Sequence, residues 1–183
     1  MPYFAVIDTE TNWADQVMSV GTVIAEAGSF RPVAAKYHIL PACCEIGGMY
    51  SDALFLKTPV KPICCTRKEA MGELLNWFAR YGITDIYAYN ARFDKTHLPE
   101  LGALQWHDIM RLAAYRQHNP MIPATADLCS TGRLKRGYGV EPMLRLLSGN
   151  RHYRETHNAL FDALDELEIM RLLGHDLQDY IPL

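Results

Sequence analysis

The first ten residues set the tightest limit on the fold. Tyr3-Phe4-Ala5-Val6-Ile7 is an unbroken apolar, β-favouring run. Such a run belongs in a central strand that is covered on both faces. Asp8-Thr9-Glu10 follows without a break. Residues two apart on a strand leave the same face, so the Asp8 and Glu10 carboxylates emerge side by side. Two converging carboxylates without a basic partner repel each other, and a divalent cation between them removes the repulsion. The alternative is that Asp8-Thr9-Glu10-Thr11 closes the strand in a polar turn.

The remaining punctuation extends this strand into an α/β order. Residues 18–25 and 33–40 read as two more strands, joined through Glu26-Ala27-Gly28-Ser29 as a hairpin. Residues 41–65 carry Pro41, Gly47, Gly48, Pro59 and Pro62 and read as an irregular excursion. Thr66-Arg67-Lys68-Glu69 is a capping box, with Met71, Leu74, Leu75 and Phe78 at helical spacing and Gly82 as the stop. Residues 83–89 form the next strand, and a short helix starts near Asp94. The pattern predicts another helix over 108–116 with Asp108 as N-cap, and one over 141–147. The last helix starts at Thr156 or His157 and runs to Leu173, burying Leu160, Ala163, Leu164 and Leu167 and stopping at Gly174. Three strands, a helix, a strand and further helices predict a mixed α/β sheet with an antiparallel start. A chain of 183 residues suits one domain, residues 1–183.

Charge and cysteine usage narrow the function classes. A net charge of −3 excludes a broadly basic nucleic-acid coat. The charge is uneven, however. Residues 131–155 hold Arg133, Lys135, Arg136, Arg145, Arg151 and Arg154 against Glu141 and Glu155. Residues 156–183 hold Asp162, Asp165, Glu166, Glu168, Asp176 and Asp179 against Arg171. A basic stretch leading into an acidic helix suits phosphate binding beside a metal; a solvated surface is the plainer reading. Cys43/Cys44 and Cys64/Cys65 are vicinal, a spacing that fits zinc poorly, and the odd fifth cysteine, Cys129, points to reduced thiols. There is no apolar window long enough for a membrane span and no signal-like start, so a cytoplasmic location is expected.

Two further segments carry chemistry. Asp94 follows the buried run Ile86-Tyr87-Ala88-Tyr89; it reads either as a helix N-cap or as a carboxylate beside the first strand's end, where α/β sheets bind ligands. His157 and Asp162 are separated by roughly 140° if both are helical. Asp162 can lie on the helix while His157 sits on the loop or in the first turn before it, a placement that suits a general base. The alternatives are a surface histidine and an ordinary acidic helix face.

Taken together, Asp8/Glu10, Asn90/Phe93/Asp94 and His157/Asp162 resemble, in order, the three motifs of the DEDDh (DnaQ-like) 3′–5′ exonuclease family: Asp-x-Glu, Asn-x-x-Phe-Asp and His-x-x-x-x-Asp. The flanks agree. His157-Asn158-Ala159-Leu160-Phe161-Asp162-Ala163 is similar to His-x-Ala-x-x-Asp-Ala, and His107-Asp108-Ile109-Met110-Arg111-Leu112-Ala113 is similar to the segment after the second motif. The resemblance spans about residues 3–173. Asn158 stands where the sister branch has Tyr. Trp13 and Tyr89 stand where many relatives have Gly and His.

The resemblance implies a ribonuclease H-like fold, a mixed five-stranded sheet flanked by helices. It implies two Mg²⁺ (or Mn²⁺) about 4 Å apart, bound by Asp8, Glu10, Asp94 and Asp162. Asp8 would bridge both ions, Glu10 and Asp162 complete the first, Asp94 serve the second, and His157 act as base. Thr9, Thr11, Trp13, Asn90 and Phe93 are the implied substrate contacts, with Phe93 and Trp13 as stacking platforms; for Trp13, packing at a turn is the alternative. The implied activity is release of nucleoside 5′-monophosphates from the 3′ end of single-stranded DNA or RNA. The alternatives are an RNA-end-trimming or oligoribonuclease-type enzyme, or a catalytically silent nucleic-acid-binding subunit. A DNA polymerase or a second copy of the chain are the candidate protein partners, with no membrane.

Overall fold

A computed structural model describes residues 2–183. Its centre is one six-stranded mixed sheet, ordered β4-β3-β2-β1-β5-β6. The strands are β1 (Tyr3–Thr11), β2 (Val17–Glu26), β3 (Pro32–Ile39), β4 (Ile63–Cys64), β5 (Asp85–Ala88) and β6 (Gln105–Asp108). The helices are α1 (Pro41–Cys44), α2 (Arg67–Tyr81), α3 (Arg92–His97), α4 (Met110–Ala113), α5 (Val140–Ser148) and α6 (Ala159–Leu173). β1 pairs antiparallel with β2 and parallel with β5, so the apolar N-terminal run lies mid-sheet. Its alternate residues enter different cores. Phe4 and Val6 pack with Leu160, Ala163 and Leu167 of α6, while Ala5 and Ile7 pack with Leu74 and Phe78 of α2. This two-sided burial explains the lack of polar alternation.

The expected ribonuclease H-like α/β architecture is present, with four local differences. The sheet has six strands rather than five, because two residues of the supposed irregular excursion, Ile63–Cys64, pair with His38 and Ile39 of β3. Residues 105–108 form β6 beside β5, and the helix expected over 108–116 shrinks to α4. In α2 the capping box is formed, with the Thr66 N–H donating to Glu69 Oε2 at 2.8 Å; Trp77, not Leu75, completes the buried face. In α6, Leu164 is only partly buried, and Glu166 lies inside instead. Among the described residues, no helix is long and apolar enough to cross a membrane.

Candidate active site

Two backbone features bring the predicted residues together. Gly21 of β2 pairs with Asp8 of β1. A Cβ on Gly21 would lie 2.0 Å from the Ala159 carbonyl oxygen, so the absence of a side chain lets the start of α6 rest directly on the sheet. One turn further, Asp162 is carried over β1. On the other side, Asn90 takes a left-handed conformation (φ 60°) that turns the chain from β5 towards α3. Asn tolerates that region better than most residues. The Asn90 N–H donates to Asp108 Oδ1 at 2.9 Å, which also accepts from the Met110 N–H at 3.0 Å. Asp108 thus ends β6 and holds this turn. Asp94 does not cap α3; it is buried, and Thr9 Oγ1 donates to its Oδ1 at 2.7 Å.

Asp8, Glu10, Asp94 and Asp162 converge where β1 ends. Glu10, Asp94 and Asp162 are buried and Asp8 is half-buried. Burial raises every one of these carboxyls, and repulsion from neighbouring acids adds to it at Asp8, Glu10 and Asp162. Asp8 is raised well above the usual range by burial, then by Asp94, Glu166, Asp162 and Glu10. Burial pushes Glu10 up to about 8, partly offset by a hydrogen bond from Asp162. Asp162 is pushed up to about 9 by burial and by Glu155 and Glu10. Asp94 is pushed up to about 7 by burial, with the Thr9 hydroxyl pulling it down. Asp8 Oδ2 and Asp162 Oδ1 are buried with no hydrogen-bond partner. A buried charge persists only when paired or metal-bound. Glu10, Asp162 and His157 also present ligand atoms all within 4.8 Å of one another. Carboxylate oxygens suit hard divalent cations, so Asp8, Glu10, Asp94 and Asp162 fit the implied metals.

His157 lies just outside α6, whose N-cap is Asn158. Its backbone is left-handed (φ 55°), a costly conformation for a non-glycine residue. Its ring stacks on Tyr50, with centroids 3.9 Å apart and planes 14° apart. Burial lowers its pKa, so the imidazole is neutral near pH 7 and can accept a proton. Beside Glu10 lies a cleft of about 330 Å³ lined by Thr9, Thr11, Trp13, Met49, Tyr50 and Phe93. Trp13 is 68% exposed, so packing does not hold its ring, whereas Phe93 is 39% exposed and packs against His97 with ring centroids 4.2 Å apart. Asn90 is exposed and lies outside this lining.

A scan against protein-family models gives no match, and a search of curated proteins gives none either. Solved structures do match. The chain overlays the nuclease domain of 3′hExo, a DEDDh family member bound to rAMP, at 13% identity and TM-score 0.64, covering 99% of this chain and 96% of that one. A 3′-exonuclease with 3′-end-specific recognition of the histone mRNA stem-loop overlays at 11% identity and TM-score 0.67, covering 98% and 66%. Exonuclease I from Methylocaldum szegediense overlays at 16% identity and TM-score 0.56, covering 94% and 40%. The fold is that of the DEDDh 3′-exonucleases. The chain spans about two thirds of the stem-loop enzyme and less than half of exonuclease I.

Three residues beside these carboxylates have roles that the motifs did not announce. Tyr50 sits in an excursion with no periodicity, so nothing local placed it against His157. Asn158 is fully buried: its Oδ1 accepts from the Leu160 N–H at 3.2 Å, and its Nδ2 donates to Tyr37 Oη at 3.0 Å and to the Ala53 carbonyl at 2.7 Å. Glu166 is 1% exposed, one turn beyond Asp162. The i, i+4 spacing from Asp162 was its available signal.

Proposed function

We propose that the protein is a divalent-cation-dependent 3′–5′ exonuclease that hydrolyses phosphodiester bonds at the 3′ end of single-stranded nucleic acid and releases nucleoside 5′-monophosphates. One observation carries this reading: four carboxylates from three distant segments are packed together at the end of a buried strand, with two oxygens left unpartnered. Such an assembly is unfavourable in itself and becomes favourable when it binds cations. Asp8, Glu10, Asp94 and Asp162 would hold two Mg²⁺ or Mn²⁺. When bound, such cations offset charge on the phosphate and on the leaving oxygen and make water more acidic.

The chain's own side chains supply the rest. His157, neutral near pH 7, accepts the proton of the attacking water at a ring nitrogen. The water oxygen bonds to phosphorus, and the bond from phosphorus to the 3′ oxygen of the preceding nucleotide breaks. That oxygen departs with the shortened strand and takes a proton from solvent. Thr9 fixes Asp94 through its hydroxyl. Trp13 and Phe93 present exposed rings on which terminal bases stack, a sequence-tolerant mode of recognition.

RNA is the favoured polymer within this reading, because one structural neighbour is bound to rAMP and another recognises the histone mRNA stem-loop. A silent binding subunit has no use for the unpartnered buried acids. The test is hydrolysis of 5′-labelled single-stranded RNA and DNA with Mg²⁺, Mn²⁺ or excess chelator. The expected result is a ladder shortening from the 3′ end with 5′-mononucleotide products, abolished by chelator. Full hydrolysis in chelator, or internal cuts alone, overturns the reading.

A further inference from the structure

The buried stripe of α6 contains an unexpected acid. Leu160, Ala163, Leu167 and Met170 of this helix enter the apolar core, and so does Glu166. Its side chain is 1% exposed, and its Oε2 has no hydrogen-bond partner. A buried carboxylate is unfavourable when charged and unpaired. An ordinary helix would place a Leu or Ala there.

We infer that Glu166 is a fifth carboxylate of the cation site, acting on the cation shared by Asp8 and Asp94. The inference rests on the cation-dependent reading above. Position is the first argument. Asp162 and Glu166 are one turn apart on α6, so both point from the same helix face towards β1. The surroundings are the second. Of the surrounding charges Asp94 acts most strongly on Glu166 and Asp162 next, with a hydrogen bond from the Tyr89 backbone ranking between them, and Glu166 is second only to Asp94 among the charges acting on Asp8. The acids therefore divide into two sets. Glu10, Asp162 and His157 converge within 4.8 Å of each other. Asp8, Asp94 and Glu166 lie outside that group and act on one another electrostatically. An added negative ligand raises affinity for a hard divalent cation, whether it binds directly or through water.

The experiment counts Mn²⁺ rather than turnover. Free Mn²⁺ is followed by electron paramagnetic resonance as the ion is titrated into wild type, Glu166→Gln, Glu166→Asp and Asp94→Asn, with metal-free melting measured alongside. Wild type should bind two ions. Glu166→Gln and Asp94→Asn should each weaken the same one of these by roughly 10–100-fold, with the other ion held as in wild type. Glu166→Asp should fall between, and it serves as the test if Glu166→Gln does not fold. Unchanged affinity for both ions in Glu166→Gln and Glu166→Asp overturns the inference while leaving the cation-dependent reading intact. Absence of any Mn²⁺ binding by wild type overturns the reading itself.

Discussion

Removing divalent cations should make the protein's stability fall as pH rises, with Asp94 as a main cause. Its carboxyl is pushed up to about 7 in the folded chain, chiefly by burial, from an ordinary value of 3.8. Between those values the native chain holds a proton that the unfolded chain has lost. Stability from this proton is complete below about pH 4 and is lost as pH rises through about 7. One proton corresponds to about 1.4 kcal/mol per pH unit, so Asp94 alone accounts for about 2.5 kcal/mol between pH 5 and 7. For a domain of this size that is roughly 5–10 °C in Tm. Glu10, at about 8, and Asp162, at about 9, extend the decline above neutrality. His38 and His157 act in the opposite sense near pH 6, because burial lowers both and neutral imidazoles gain stability as pH rises. The quantity to read is therefore the difference between wild type and Asp94→Asn, melted by calorimetry in chelator from pH 5 to 8. The variant should show a shallower decline, and Mg²⁺ at about 100 times its Kd should restore about 2.7 kcal/mol to wild type at the upper end. Equal pH slopes in wild type and Asp94→Asn refute the reasoning.

Four further outcomes follow from the same geometry. Asp8→Ala should abolish cleavage while raising metal-free Tm, because it removes one of the crowded acids; near-normal turnover, or a fall in Tm, counts against it. His157→Ala should slow single-turnover hydrolysis by about 10²–10⁴-fold and recover partly at higher pH, while Mn²⁺ binding changes little; a large loss of Mn²⁺ affinity would make His157 a ligand rather than the base. Tyr50→Ala should lower kcat and Tyr50→Phe should not, because the ring, not its hydroxyl, stacks on His157; a raised KM with unchanged kcat would instead place Tyr50 on the substrate. Gly21→Ala should cost about 3 kcal/mol and depress activity by lifting the start of α6, since its new methyl meets the Ala159 backbone; a wild-type Tm excludes that contact.

Much of the site was legible because each part leaves a local mark. A two-residue strand period put Asp8 and Glu10 on one face, and helix geometry kept His157 and Asp162 from sharing one, although α6 starts at Ala159, later than the Thr156 or His157 expected. What escaped was decided by contacts between distant segments. Glu166 has the same side chain as its half-exposed neighbour Glu168; only the rotation of α6 against β1 leaves Glu168 partly in solvent and buries Glu166. β6 was missed because Gln105-Trp106-His107-Asp108 has no apolar alternation. Its polar residues are met by partners far away: His107 Nε2 lies 2.7 Å from Asp85 Oδ1, and the Leu183 N–H donates to the Trp106 carbonyl at 2.8 Å. The excursion at 41–65 carries turn residues throughout, and turn residues do not say where a loop will dock.

Docking of that loop also explains how a strained histidine is held. Asn158 caps α6 with its side-chain oxygen and grips the Ala53 carbonyl with its amide nitrogen. Ala53 ends the short helical turn Ser51–Ala53, which follows Tyr50 directly. His157 directly precedes Asn158. One buried amide therefore fixes both partners of the Tyr50–His157 stack, one on each side. Tyr37 Oη completes the clamp, accepting from Asn158 and donating to the Leu54 carbonyl at 2.9 Å. A left-handed non-glycine backbone persists only where its surroundings over-determine it. Here they do, and the ring at that position stands beside Glu10 and Asp162 instead of facing solvent.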